Sequence, residues 1–113
     1  MADQQYIFMT KTVTITSGQT VSDAIDTQGL DMVQIEMPAA FTGITMTFQS
    51  SLDNSTFNAC YNTSGTALSC TVAASRNILI SPQDFAGVRY IKLVSGSAEG
   101  ATRSIRIQLR EVK

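Results

Sequence analysis

The chain lacks histidine and tryptophan altogether, and its 113 residues include only two cysteines and two prolines. Without histidine the commonest general base and metal ligand is missing, so Ser-His-Asp and Cys-His nucleophile arrangements cannot be built. The sequence also contains neither a GxGxxG fingerprint nor a phosphate-binding glycine loop. These absences remove most hydrolase mechanisms and the common nucleotide cofactors, and we predict a protein that is not an enzyme and has no cofactor.

Carboxylates are the remaining groups with catalytic or metal-binding chemistry, and Asp23, Asp26 and Asp31 cluster in the sequence. A pair of carboxylates can serve a glycosidase, and several together can bind calcium. The surrounding stretch is rich in turn-forming residues, where aspartate is common because its side chain hydrogen-bonds to nearby backbone amides. We therefore predict turns here, with no catalytic residues and no metal; a calcium site is the alternative.

Cys60 and Cys70 are the only cysteines. With no histidine to join them, they cannot complete the four-ligand nitrogen and sulfur set of a structural zinc site within one chain. No basic segment with an apolar stretch after it opens the sequence, and no apolar run approaches the roughly 18 residues of a membrane-spanning helix. We therefore expect folding in a cytoplasm, with both thiols reduced. A disulfide across a hairpin whose loop is 62–65 is the alternative.

The formal net charge is −1 at pH 7, which provides no overall field that would hold nucleic acid or an anionic membrane. Seven of the eight basic residues lie at or after Arg76, and six of the nine acidic residues lie before Asn54. The basic residues of the last segment are not interleaved with aromatic side chains, which a site for single-stranded nucleic acid would need. We predict neither nucleic acid nor a membrane as a partner.

Alternation of apolar and polar residues with a period of two is the strongest pattern in the chain. In residues 102–112, isoleucine and leucine at 105, 107 and 109 alternate with arginine and glutamine, as in strands that place one face on a core. No segment keeps a helical period over three turns, so the predicted fold class is all-β, an antiparallel β-sandwich of the jelly-roll type in a single domain. Eight to nine strands are predicted, at 11–16, 21–27, 30–37, 43–51, 56–62, 66–73, 76–80, 88–95 and 102–112.

One short helical turn is predicted near residues 82–86. Ser81 stands at its N-cap position, Pro82 at the first helical position and Gly87 at its exit, and Phe85 is placed to plug one end of the core. The alternation predicts a core of Val13, Ile15, Val33, Ile35, Ile44, Met46, Phe48, Ile91, Leu93, Ile105 and Ile107.

The first ten residues precede the first predicted strand, so we divide the chain into an N-terminal arm, 1–10, and a β-sandwich domain, 11–113. The arm contains four consecutive large apolar residues, which folded monomers seldom leave in water. We therefore predict that it packs on a neighbouring subunit of a symmetric homo-oligomer, with a trimer preferred. The residues predicted to contact a partner are Tyr6, Ile7, Phe8 and Met9 of the arm, with Arg106 and Arg110 of the last strand.

Three stretches carry a resemblance to a known family: 34–41 (QIEMPAAF), 44–57 (ITMTFQ, then DNSTF at its end) and 82–93 (PQDFAGVRYIKL). Their order and spacing resemble small β-sandwich structural proteins encoded beside the major capsid protein of tailed bacteriophages, over about residues 11–112. The stretch 44–57, which contains a predicted strand, the Asp53-Asn54 turn and Phe57, is more distantly similar to part of the galactose-binding-like (discoidin, coagulation factor 5/8 type C) jelly roll. In that family the turn commonly reads Asp-Gly followed by Trp, whereas Asn54 and Phe57 stand in those places here.

The phage resemblance implies a virion structural protein. It would be a capsid decoration or cement protein, assembled in the host cytoplasm and then fixed on the capsid surface, with the major capsid protein and copies of itself as partners. The galactose-binding-like resemblance implies the alternative of a carbohydrate-binding module on a phage or bacterial surface structure. A tail, neck or baseplate component is a third possibility within the structural class.

Overall fold

A computed structural model describes the backbone of residues 6–112 and the side chains of residues 8–111. This part of the chain contains nine strands, one 3-10 turn and no α-helix. The strands are β1 (Tyr6–Ile15), β2 (Ile25–Asp26), β3 (Asp31–Glu36), β4 (Thr45–Ser51), β5 (Asn58–Ala59), β6 (Ser69–Thr71), β7 (Asn77–Leu79), β8 (Tyr90–Ser95) and β9 (Arg103–Val112), and the turn is Pro82–Phe85.

Two antiparallel sheets pack face to face as a β-sandwich. Sheet A has the strand order β1-β9-β3-β7, and sheet B has the order β2-β8-β4-β5, with β6 pairing beside β5 on the same edge of β4. The chain crosses between the sheets after β1, β2, β3, β6, β7 and β8, and the first and last strands are neighbours. This is jelly-roll topology, so the predicted fold class is confirmed.

The first strand is longer than its sequence pattern indicated. β1 begins at Tyr6 and pairs with β9 without a bulge over ten residues, from Tyr6 opposite Val112 to Ile15 opposite Arg103. Residues 6–10 are therefore part of the sandwich, which corrects the predicted strand start at residue 11 and the arm boundary drawn from it. Residues 1–5 lie outside the described residues.

Nine of the eleven predicted core residues are buried, and two predictions are wrong. Val33 is only partly buried, because a register shift between Met32 and Gln34 in the pairing of β3 with β9 turns Met32 into the core instead. Ile44 is 72% exposed, because it precedes β4 and the strand's inward alternation starts at Met46.

The predicted turn and its aromatic plug are present. Pro82 begins the 3-10 turn after Ser81, although the Ser81 side chain makes no capping hydrogen bond. Phe85 is buried, and its ring meets that of Phe48 edge to face with the ring centroids 4.9 Å apart. This aromatic pair closes one end of the core.

Both cysteines are free thiols in the structure. Cys60 and Cys70 lie along the same edge of β4 and pack, partly buried, against the core. Burial raises the pKa of the Cys70 thiol, so this side chain behaves as a small apolar group.

Candidate interaction face

The outer face of sheet A collects three of the residues predicted to contact a partner. Because Val13, Ile105 and Ile107 point into the core, the residues between them point outward. We call this surface face A; the strand register places on it Phe8, Thr10, Thr12, Thr14, Ser104, Arg106, Gln108, Arg110, Asp31, Gln34, Glu36, Asn77 and Leu79.

Strand register arranges face A in rows that cross all four strands. One row runs from Thr10 through Gln108 and Gln34 to Leu79, and the Gln34 side-chain amide donates to Gln108 Oε1 at 3.4 Å. Together with the neighbouring row these side chains line a shallow depression on the sheet. Face A is therefore a broad, flat surface of hydroxyls and amides.

The charge on the next row is neutralised within the chain. Arg106 donates to Glu36 Oε1 at 2.6 Å, and both side chains are about half exposed. Hydrogen bonding to Arg106 lowers the pKa of the Glu36 carboxyl and raises the pKa of the Arg106 guanidinium. Both groups stay ionised over a wide pH range, and the pair adds no net charge to the face.

The predicted contact residues separate into two groups. Phe8 and Arg110 are direct cross-strand neighbours on face A, and the Phe8 side chain is 57% exposed. Met9 points the other way and packs, partly buried, against the core, so it does not lie on face A. The side chains of Tyr6 and Ile7 lie outside the described residues.

The three clustered aspartates do not converge on a site. Asp23 Oδ1 accepts from the Thr14 amide at 2.7 Å, and Asp26 forms an ion pair with Arg89 at 3.0 Å. The hydrogen bond from Arg89 is the main cause that lowers the pKa of Asp26. Within residues 6–112 no three potential metal ligands are grouped together, so nothing in the described part supports the calcium alternative.

Glu99 is the polar residue that sequence reasoning missed. Its side chain is fully buried, and the carboxylate accepts four hydrogen bonds. Oε1 accepts from the Thr42 amide (2.8 Å) and from Arg103 Nε (2.9 Å). Oε2 accepts from the Gly43 amide (3.0 Å) and from the Ser95 hydroxyl (2.9 Å). Burial raises the pKa of the carboxyl, but the four hydrogen bonds outweigh it and the net pKa is lowered. A glutamate between Ala98 and Gly100 carries no pattern that predicts this.

Glu99 holds together three loops at one end of the sandwich. Its backbone carbonyl accepts from Gly18 at 2.7 Å and its amide donates to Gln19 at 3.1 Å. Gly43 is needed beside it, because a Cβ at that position would overlap the Ser95 hydroxyl. Since all of these contacts are satisfied inside the protein, the Glu99 cluster is structural.

Comparisons with known proteins bear on the fold. No protein-family model matches the chain, and no curated protein matches it by sequence. The crystal structure of the SPBc2 prophage-derived protein YomS is similar, with a TM-score of 0.61 and 10% sequence identity, over 98% of this chain and 97% of that one. The chain thus shares its whole β-sandwich with a prophage-derived protein.

Two further structures are less similar. One is from Bacillus endospore appendages, described as disulfide-linked pili (TM-score 0.46, 15% identity, 96% of this chain and 89% of that one). The other is the CBM32-1 domain of a Clostridium perfringens family 31 glycoside hydrolase (TM-score 0.41, 16% identity, 85% of this chain and 72% of that one). Among the described residues no helix has the length and apolar character needed to cross a membrane.

Proposed function

We propose that this chain is a structural protein of a tailed-phage virion, a decoration protein that binds the capsid surface through face A. The observation that carries the proposal is face A itself, a four-stranded surface on which Arg106 and Glu36 are already paired and Phe8 and Leu79 are exposed at the two edges. The structural similarity of its β-sandwich to that of a prophage-derived protein supports a role in a phage virion.

The chemistry of face A suits contact with another protein. Threonine hydroxyls and glutamine amides can hydrogen-bond to a partner's backbone, and the large apolar side chains at the edges add area removed from water. Because Arg106 and Glu36 already pair at 2.6 Å, covering them leaves no unpaired buried charge.

The size of face A favours binding in many copies. The four strands contain 10, 10, 6 and 3 residues, and at about 3.3 Å per residue and about 4.8 Å between strands they cover on the order of 450 Å². A standard stable interface uses about 800 Å² on each partner, so a single copy binds weakly. A repeating capsid lattice compensates by offering many sites at once, which raises the effective affinity of an oligomeric protein.

The carbohydrate-binding alternative finds less support in the structure. Such modules need aromatic rings presented to a sugar; Tyr61 is exposed, but the phenylalanines of the loops are engaged elsewhere. Phe85 is buried, Phe41 packs against the core, and Phe57 lies beneath Lys92 with Nζ 4.3 Å from its ring centroid.

A matched pair of variants tests the proposal. Ser104→Arg places a bulky, unpaired charge on face A, and Ser69→Arg places the same change on an exposed position of the outer face of sheet B. Both proteins are mixed with shells assembled from the major capsid protein encoded in the same genome, and binding is measured by co-sedimentation. We expect Ser104→Arg to weaken binding at least tenfold and Ser69→Arg to leave it unchanged.

The opposite results decide against the proposal. Equal binding by both variants would show that the capsid contact does not lie on face A. If the native protein does not bind the shells, the capsid is not its partner. Binding to a glycan array without binding to shells would establish the carbohydrate-binding alternative. As a second readout, heads that lack the protein should lose their genome at lower temperature or in low salt.

A further inference from the structure

β1 is a long edge strand whose outer side has no partner strand among the described residues. It pairs with β9 along one side, and on its other side the hydrogen bonds to Asp23 lie at Thr14, near its carboxyl-terminal end. Edge strands present rows of unpaired N–H and C=O groups that can template pairing with another chain. The other edge of sheet A, β7, is only three residues long.

The contact between Thr14 and Asp23 shows which groups of β1 face outward. The Thr14 amide donates to Asp23 Oδ1 at 2.7 Å, and the Thr14 carbonyl accepts from the Asp23 amide at 3.1 Å. Both groups of Thr14 therefore point away from β9. Since antiparallel strands alternate between bonded and non-bonded residues, the N–H and C=O groups of Phe8, Thr10 and Thr12 point outward as well.

Apart from Lys11, this stretch carries none of the features that usually protect an edge. It contains no proline and no bulge, and its outward-pointing side chains are uncharged. Lys11 is the single charged residue; its side chain is on the inner side of the strand, close enough to Asp26 to contribute to the lowered pKa of that carboxyl. Asp23 closes the edge at Thr14, so the open part is about 8–12.

We propose that the β1 edge pairs antiparallel with β1 of a second copy of this chain across a two-fold axis at Thr10. Phe8 then lies opposite Thr12 of the second copy, and Thr10 lies opposite its own equivalent. Every outward N–H and C=O of Phe8, Thr10 and Thr12 gains a partner, because the same residues point outward on both strands. Sheet A becomes a continuous eight-stranded sheet.

A second copy fits this edge in charge and in side-chain packing. Lys11 lies opposite Met9 of the second copy, so no like charges face each other directly, and the exposed Phe8 ring is placed against the Thr12 methyl group. The inference does not depend on capsid binding, and it replaces the predicted three-fold arrangement by a two-fold one.

Amide hydrogen exchange of the native protein tests the pairing residue by residue. Sedimentation first establishes the concentration range over which the chain passes from monomer to dimer. Across that range we expect the amides of Phe8, Thr10 and Thr12 to become protected, while those of Met9 and Lys11, already bonded to β9, do not change. A protein that stays monomeric, or a dimer whose added protection lies elsewhere, overturns the proposal, as does protection of these amides that is independent of concentration.

A pair of variants at the two-fold axis gives a second test. Thr10→Pro removes an N–H that points away from β9 and so spares the β1 and β9 ladder, while Thr10→Val keeps the N–H and the branched side chain. We expect at least tenfold weaker dimerisation for Thr10→Pro and little change for Thr10→Val, with both variants folded by circular dichroism. If Thr10→Pro fails to fold, the amide hydrogen exchange of the native protein is by itself the test of the proposed pairing.

Discussion

Glu99 and Arg103 form an ion pair, with 2.9 Å between Oε1 and Nε, in which the carboxylate is completely shielded from solvent. The pair lies at the end of the sandwich where the loops before β4 and β9 meet, and the Arg103 guanidinium also donates to the Thr42 hydroxyl at 3.2 Å. Removing one partner of a buried pair leaves the other uncompensated.

The first prediction is that Glu99→Ala destabilises the protein by about 3–5 kcal/mol, the range for breaking a buried ion pair. The loss comes from Arg103 and from the Thr42, Gly43 and Ser95 donors left without an acceptor. Urea unfolding followed by circular dichroism measures it. Glu36→Ala, which removes an exposed carboxylate also paired with an arginine, is the control and should change the midpoint little. Equal effects of the two variants would show that the burial of Glu99 is unimportant.

The second prediction concerns pH. The folded-state pKa of Glu99 lies below that of the unfolded chain, which is about 4.3 for a glutamate. Its contribution to stability is therefore constant above that value and is lost as the pH falls through the lower, folded-state pKa. The difference in unfolding free energy between the native protein and Glu99→Gln should shrink only below about pH 4.3. A difference that instead grows as the pH falls from 7 to 5 would mean that the folded-state pKa is raised.

The third prediction is that Phe48→Ala costs about 3–5 kcal/mol of unfolding free energy, because it leaves a cavity in the core and removes the ring contact with Phe85. Leu52→Ala, at a fully exposed position, should stay within roughly 0.5 kcal/mol. Urea titration of both variants checks the comparison. A small effect at Phe48 would place that ring outside the core.

The fourth prediction is that the two thiols are reduced and dispensable for the fold. The melting temperature of the native protein should be the same with and without reductant, and the double variant Cys60→Ala, Cys70→Ala should keep the fold. A bridge, if one formed, would add about 2–4 kcal/mol in the absence of reductant. A melting temperature that falls on reduction in the native protein alone would contradict free thiols.

Period-two alternation was sufficient to predict the fold class and most of the core. Ile105 and Ile107 are buried as predicted because side chains on a strand alternate strictly between its faces. The same rule fails where a strand is irregular. Between Met32 and Gln34 the pairing shifts register, and no sequence pattern marks that position, so Met32 and Val33 exchange their expected places.

The candidate face was predicted only in part. The alternation of β9 placed Arg106 and Arg110 on an outward surface, and Phe8 was selected as a contact residue because of its apolar neighbours. Because the charged Lys11 stands at an inward position between Met9 and Val13, the apolar alternation does not predict that β1 continues back to Tyr6. That Phe8 lies beside Arg110, from the opposite end of the chain, depends on strand pairing.

The sequence by itself determined that the chain forms strands, which faces of them are apolar, and which catalytic chemistries its composition excludes, because these follow from the order and type of neighbouring residues. Tertiary structure alone decided which strands are neighbours, that Glu36 pairs with Arg106, and that Glu99 is buried among donors from distant loops. Those relationships join residues as distant in the chain as Tyr6 and Val112. They arise when two sheets close over one core, a step that local sequence patterns do not encode.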